Sequence, residues 1–170
     1  MHVLIVCSSF PPVNVTAIHR TTAVCRALRA NHHDVAVLTL PPQSDQPVDE
    51  SLNEKVPAGV QILRVNRWQL RAREDGTSRT SSNNKSRRTQ NKKTMRNICN
   101  WLSWWLHVPD RMTGWLVPAI WKGVGWARLF NPDVIYSTAP RFSAHLTALC
   151  LHRLLRRPWV ADCRDPWSAN

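Results

Sequence analysis

The chain has 170 residues, 43% of them hydrophobic, and a formal net charge of +12; this suits one domain with a buried core and excludes a weakly hydrophobic, unfolded polyampholyte. The charge is local: residues 64–96 hold eleven Lys or Arg against Glu74 and Asp75, an excess of nine, so it describes one segment and not the fold. Cys7, Cys25, Cys99, Cys150 and Cys163 are odd in number and scattered, with no CxxC pair, which excludes a disulfide framework and a cysteine zinc site and suits reduced thiols in a cytoplasmic protein.

Met1 leads straight into an apolar run with no basic leader before it, so no secretory signal peptide is expected. No apolar run approaches the length of a membrane-spanning helix. Residues 2–7 (HVLIVC) read as a strand buried on both faces, followed by a loop at 8–16 in which Pro11-Pro12 bars helix. Residues 17–31 are helical, with Ile18, Thr21, Cys25 and Leu28 on one face. A second strand at 34–40 ends at Pro41-Pro42, and a third is expected at 60–65.

Between about 71 and 95, Ser, Thr, Asn, Lys and Arg dominate, so this stretch is expected to be a disordered basic insertion. Helical periodicity resumes at Ile98, Trp101, Leu102, Trp105 and Leu106, and again over 115–130. A fourth strand is expected at 133–137, then a helix at 142–155 with Leu146, Leu149, Cys150 and Leu154 inward, and a fifth strand at 159–163. Strands alternating with helices predict an α/β, doubly wound parallel sheet in the order 3-2-1-4-5. Ligands of such sheets sit at the carboxyl ends of the strands. The polar residues of 137–145 and 162–167 are expected at that edge.

The first loop narrows the choice of ligand. A dinucleotide-binding domain needs GxGxxG after its first strand, so that backbone amides reach a pyrophosphate. Here the turn is Ser8-Ser9-Phe10-Pro11-Pro12, the first glycine is Gly59, and no acid ends the second strand to hold a ribose. An NAD enzyme and a P-loop ATPase are both disfavoured.

Four motifs occur in order: SSFPPVN at 8–14, HVPDRMTGWLVPA at 107–119, PDVIYSTAPRFSAHL at 132–146 and RPWVADCRDPW at 157–167. Together they resemble the amino-terminal domain of family 4-like glycosyltransferases, over roughly residues 1–40 and 107–170. The resemblance implies one Rossmann-like half of the GT-B architecture, spanning 1–170. It also implies retaining transfer from a nucleotide sugar to a glycan or lipid-linked acceptor, as in polysaccharide biosynthesis, with no cofactor or metal. The donor-binding carboxy-terminal domain, with its paired glutamates, is not among these residues, so the chain is expected to be truncated and inactive alone. The family's Gly-Gly pair after FPP is replaced here by Val15-Thr16, which weakens the expectation of close backbone approach to the donor diphosphate.

On this resemblance His145 and Asp165 are the candidate catalytic residues, and Ser9, Phe10, Asn14, Asp162 and Arg164 the candidate substrate-binding residues. His145, at the start of a helix, can hydrogen-bond a sugar hydroxyl beside helix-start amides that favour phosphate; the alternative is a capping or packing histidine. Asp162 and Asp165 can orient an acceptor hydroxyl and Arg164 can hold an anion; the alternative is an Arg–Asp ion pair that fixes the loop. For Ser9, Phe10 and Asn14 the alternative is plain turn chemistry. Asp110 and Trp115 are expected to organise the loop between helices.

Six of the nine tryptophans fall between Trp101 and Trp126, directly after the basic run. That order suits an anionic membrane surface at the inner face of the membrane; the alternative is core packing or contact with another domain. Nucleic acid is disfavoured, because no aromatic occurs between Trp68 and Trp101 to stack on bases along the basic run. The competing class of function is a non-catalytic remnant or membrane-surface binding module.

Overall fold

The computed structural model describes residues 1–68 and 113–163. In chain order these form β1 (His2–Val6), α1 (Ala17–Ala30), β2 (Asp34–Thr39), a 3-10 turn (Glu50–Lys55), β3 (Gln61–Arg64), α2 (Thr113–Phe130), β4 (Val134–Thr138), α3 (Phe142–Leu155) and β5 (Trp159–Asp162). The strands make one five-stranded sheet in the order β3-β2-β1-β4-β5, and every pairing is parallel. The doubly wound α/β arrangement expected from the sequence is present. The expected insertion at about 71–95, the helical segment 98–106 and Asp110 lie outside the described residues.

The strands are apolar on both faces because helices cover both. Leu4, Val6, Ala36, Leu38 and Ile135 join Trp115, Ala119, Ala127, Ala144, Ala148 and Leu151 of α2 and α3 in one cluster. Val3, Ile5, Val35 and Val37, alternating with the first set, pack with Phe10 and Cys25 under α1. Full burial of each Val, Leu or Ile is worth about 1.5–3 kcal/mol, so β1 and β2, nearly all buried, anchor the domain.

Two expectations about packing are corrected. Trp115, expected to organise the loop between helices, is 0% exposed in the first turn of α2 and belongs to the larger core. The inward face of α3 is Ala144, Thr147, Ala148 and Leu151, while Leu154 is 62% exposed. Leucine spacing misplaced that face because α3 is squeezed between the sheet and α2. Small side chains then set the closest approach beside Leu151, and Leu146, Leu149 and Leu154 take the flanks.

Two glycines of α2 explain its seat. A methyl group at Gly123 would lie 3.0 Å from Leu38 Cδ2 and 3.4 Å from Leu151 Cδ2, so the helix backbone rests directly on the core. At Gly114 a methyl group would come within 2.9 Å of the Trp68 carbonyl oxygen. Pro118, inside the helix, has no N–H for the Gly114 carbonyl four residues earlier. Trp68 N–H donates to that carbonyl at 3.0 Å instead. The segment after β3 is thereby fastened to the start of α2.

Candidate functional site

At the carboxyl ends of β4 and β5 the pairing register sets Ser137 beside Ala161 and Thr138 beside Asp162. Side chains alternate along a strand, so Tyr136, Thr138 and Asp162 face the α1 side and Ser137 faces α3.

On the α1 side Asp162 is the hub. Its Oδ1 accepts from Arg20 Nη2 at 2.6 Å, and its Oδ2 accepts from the Tyr136 hydroxyl at 2.7 Å and the Thr138 hydroxyl at 3.0 Å. The carboxylate is 11% exposed, against 54% for the Arg20 side chain. Burial alone would raise its pKa. The hydrogen bonds from Tyr136, Thr138 and Arg20 outweigh that and hold it below the usual carboxylate range. Burial, reinforced by the neighbouring Asp162 carboxylate, pushes the Tyr136 phenol up to about 12, so it stays a donor.

On the α3 side Ser137, His145 and Trp159 form a chain. The Trp159 indole N–H donates to Ser137 Oγ at 2.8 Å, and Ser137 Oγ lies 2.7 Å from His145 Nδ1. An indole nitrogen only donates. With Trp159 supplying one hydrogen to Oγ, the serine either donates its own hydrogen to Nδ1 or accepts from Nδ1–H through its second lone pair, so Nε2 is a donor in the first tautomer and an acceptor in the second. His145 is 6% exposed, and its Nε2 is buried without a hydrogen-bond partner. A buried polar atom left unsatisfied costs about 1–3 kcal/mol, and a ligand hydroxyl reaching Nε2 would remove that cost.

Burial also holds the His145 imidazole below its usual pKa, with the Asp162 charge opposing the shift. The neutral ring is therefore the form the fold favours. Its contribution to stability is present above the unfolded pKa of about 6.5 and is lost as pH falls through the folded value. Urea unfolding at stepped pH should show the wild-type chain losing stability below about pH 6.5 faster than His145→Gln. Parallel curves for the two proteins would show that His145 does not titrate in this way.

Of the residues singled out in the sequence, His145 and Asp162 come to the same sheet edge but to opposite faces. Ser9 is buried at 8% exposure, and Phe10, at 1%, is part of the core under α1. Asn14 is exposed; its backbone N–H donates to the Pro47 carbonyl at 2.8 Å, beside an antiparallel bridge between Val13 and Val48. Arg164 and Asp165 lie outside the described residues. Arg20, Tyr136, Ser137, Thr138 and Trp159 were not singled out. The period-two alternation of β4 against β5 was the signal that could have found four of them; Arg20 needed the placement of α1.

Burial pushes the thiols of Cys7 and Cys25 up to about 12, so both are protonated and unreactive. Among the described residues no group of three His, Cys, Asp or Glu is placed to hold a metal ion. The larger cleft, about 500 Å³ and lined by His2, Asp34, Gln61, Trp126, Leu129 and Phe130, opens at the opposite, amino edge of the sheet. Its polar contacts, His2 Nδ1 to the Phe130 carbonyl at 2.8 Å and His2 to Asp34 at 3.5 Å, pair lining residues with one another, and sheets of this kind bind at the carboxyl ends of their strands, so that edge is the better candidate.

The fold and its polar carboxyl edge define a Rossmann-like α/β domain. No family model, no curated protein and no solved structure matches the chain. No described helix is long and apolar enough to cross a membrane.

Proposed function

We propose that the chain is the acceptor-side, Rossmann-like half of a family 4-like glycosyltransferase of GT-B architecture. The complete enzyme would move a sugar, with retention, from a nucleotide sugar to a glycan or lipid-linked acceptor. What supports the reading, beyond the ordered motifs, is the buried, unpartnered Nε2 of His145 at the carboxyl edge of a 3-2-1-4-5 sheet. In this role Nε2 hydrogen-bonds a sugar hydroxyl, which can donate or accept, and the Trp159–Ser137 pair holds the ring in place. Asp162 orders the facing loop through Arg20, Tyr136 and Thr138, while Ser9 and Asn14 border the opposing rim. The donor nucleotide belongs to a second, facing domain.

Two titrations of the ¹⁵N-labelled chain test this. Saccharides and short-chain lipid-diphosphate sugars should shift amides in 8–14 and 137–145. Calorimetry with UDP-, GDP- and ADP-sugars should show no micromolar binding, because the first loop lacks the glycines that let a backbone approach a diphosphate. Micromolar nucleotide-sugar binding would place the donor site in this domain. No response to any saccharide would remove the glycan reading.

A second reading, a non-catalytic remnant or surface-binding module, is favoured by one observation. Both oxygens of Asp162 are already taken by protein donors, as in a carboxylate that fixes a loop. The same absence of saccharide response would support it.

A further inference from the structure

The smaller cleft, about 260 Å³, lies between the segment leaving β3 and the second and third turns of α2, lined by Asn66, Arg67, Trp68, Val117, Pro118, Trp121 and Lys122. Three observations mark it. Among the described residues, both charged residues of its lining are cations and no acid lines it. Arg67 Nε is buried with no hydrogen-bond partner, and the ion pairs of the described residues involve neither Arg67 nor Lys122. Around it stand large apolar side chains turned to solvent: Trp68 is 68% exposed, Trp121 76% and Val117 52%. Val117 and Trp121 are one helical turn apart and so share a face.

We infer that this cleft docks an anionic phospholipid surface, with one headgroup phosphate between Arg67 and Lys122 and the two tryptophans in the headgroup layer. A buried guanidinium N–H without an acceptor calls for an oxyanion. Indole rings with an apolar body and a polar N–H partition to the bilayer interface. A soluble phosphate would satisfy the cations but would leave Trp68, Trp121 and Val117 in water, and a neutral apolar partner would leave Arg67 Nε unsatisfied. An anionic bilayer serves both sets at once. The sequence charge has the matching sign, since the run from Arg64 to Arg96 that begins here carries an excess of nine positive charges.

The position matters for the proposed function. The cleft is at the β3 end of the sheet, where Trp68 N–H is bonded to Gly114 at the start of α2. β4, with the His145 chain, lies three strand spacings away, about 14 Å at ordinary sheet geometry. A membrane held at the cleft would bring a lipid-linked acceptor within reach of that edge. Only this consequence rests on the glycosyl-transfer reading; the docking itself does not.

Flotation of the full chain with vesicles of phosphatidylcholine, with and without phosphatidylglycerol, tests the inference without any sugar. The chain should float with the anionic vesicles only. Replacing both Arg67→Gln and Lys122→Gln should weaken binding about thirtyfold, at roughly the known worth of two cations at such a surface. A control pair, Arg26→Gln with Arg153→Gln, removes the same charge at exposed helix positions outside the cleft lining and should cost clearly less. Equal losses from the two pairs would mean that only diffuse charge attracts the chain and would overturn the site. A second measurement relies on mild changes at exposed positions. Brominated-chain anionic lipid should quench the tryptophan fluorescence of the wild-type chain, and Trp121→Phe or Trp68→Phe should remove part of that quenching. Unchanged quenching in both variants would overturn the docking, as would binding of inorganic phosphate at the cleft without vesicle binding. Vesicle docking without any saccharide response would leave this inference standing and remove the glycosyl-transfer reading, and the reverse pattern would do the opposite.

Discussion

Replacing Trp115 with alanine is expected to destabilise the domain by about 3–5 kcal/mol, the range for emptying the site of a large core aromatic. The indole is fully buried, in the cluster that joins α2 to Leu38, Leu40 and Val65 of the sheet side. Domains of this size hold only about 5–15 kcal/mol in all, so the variant should be partly unfolded on mild warming. Trp115→Phe should cost much less. The Trp115 Nε1–H is buried without a partner, and phenylalanine keeps most of the ring while discarding that unsatisfied donor. Urea denaturation followed by circular dichroism separates the two. Equal losses would mean that the indole nitrogen has a partner and that packing is not the main term. The same core predicts that Gly123→Leu is severely destabilising, because even a methyl group there meets Leu38 at 3.0 Å.

Asp162→Ala is expected to cost about 2–3 kcal/mol, because charge-assisted bonds are stronger than neutral ones and their donors would be left behind. The loss falls on Tyr136 and Thr138, whose hydroxyls both point at one carboxylate oxygen. Arg20 is more than half exposed, so water replaces its share, and Arg20→Gln should be the milder change. The pH dependence has a definite sign. The folded Asp162 pKa is depressed, so its contribution is present above the unfolded carboxylate pKa of about 3.9 and is lost as pH falls through the folded value. The stability gap between wild type and Asp162→Ala should therefore be full near neutrality and close in acid. A gap that stays constant with pH would show that the variant loses packing, not the charge.

The carboxylate network was only half legible in the sequence. Asp162 stood out as a polar residue at the end of a strand, and an Arg–Asp pair was weighed for it with Arg164 as the partner. Its cation among the described residues is Arg20, 142 positions away in sequence. No local pattern announces a pairing of that kind. It exists because α1 lies across the sheet face onto which Tyr136, Thr138 and Asp162 project. His145 was visible from its position after β4, whereas the Trp159–Ser137 chain that holds its ring needed the β4–β5 register. Phe10 read as part of a ligand rim and lies in the core, because an aromatic in a turn looks the same in sequence whether it points out or folds under.

The elements of the sheet were set locally. Apolar runs at β1 and β2, proline stops after them and the alternation with helical segments required a parallel α/β sheet, and the order followed from the usual rules of crossover. Those signals act over a few residues and survive without tertiary context. Which face of a helix is buried did not follow in the same way. In α3 the alanines and Leu151, not Leu146, Leu149 and Leu154, form the buried face, and in α2 a proline that would ordinarily break a helix is accommodated because Trp68 takes up the carbonyl it leaves. Such choices depend on how closely two backbones approach and on which distant donor happens to face an open acceptor. Composition and spacing therefore determined the architecture, and only packing in three dimensions decided which polar groups are satisfied and which, like His145 Nε2 and Arg67 Nε, are buried without a protein partner.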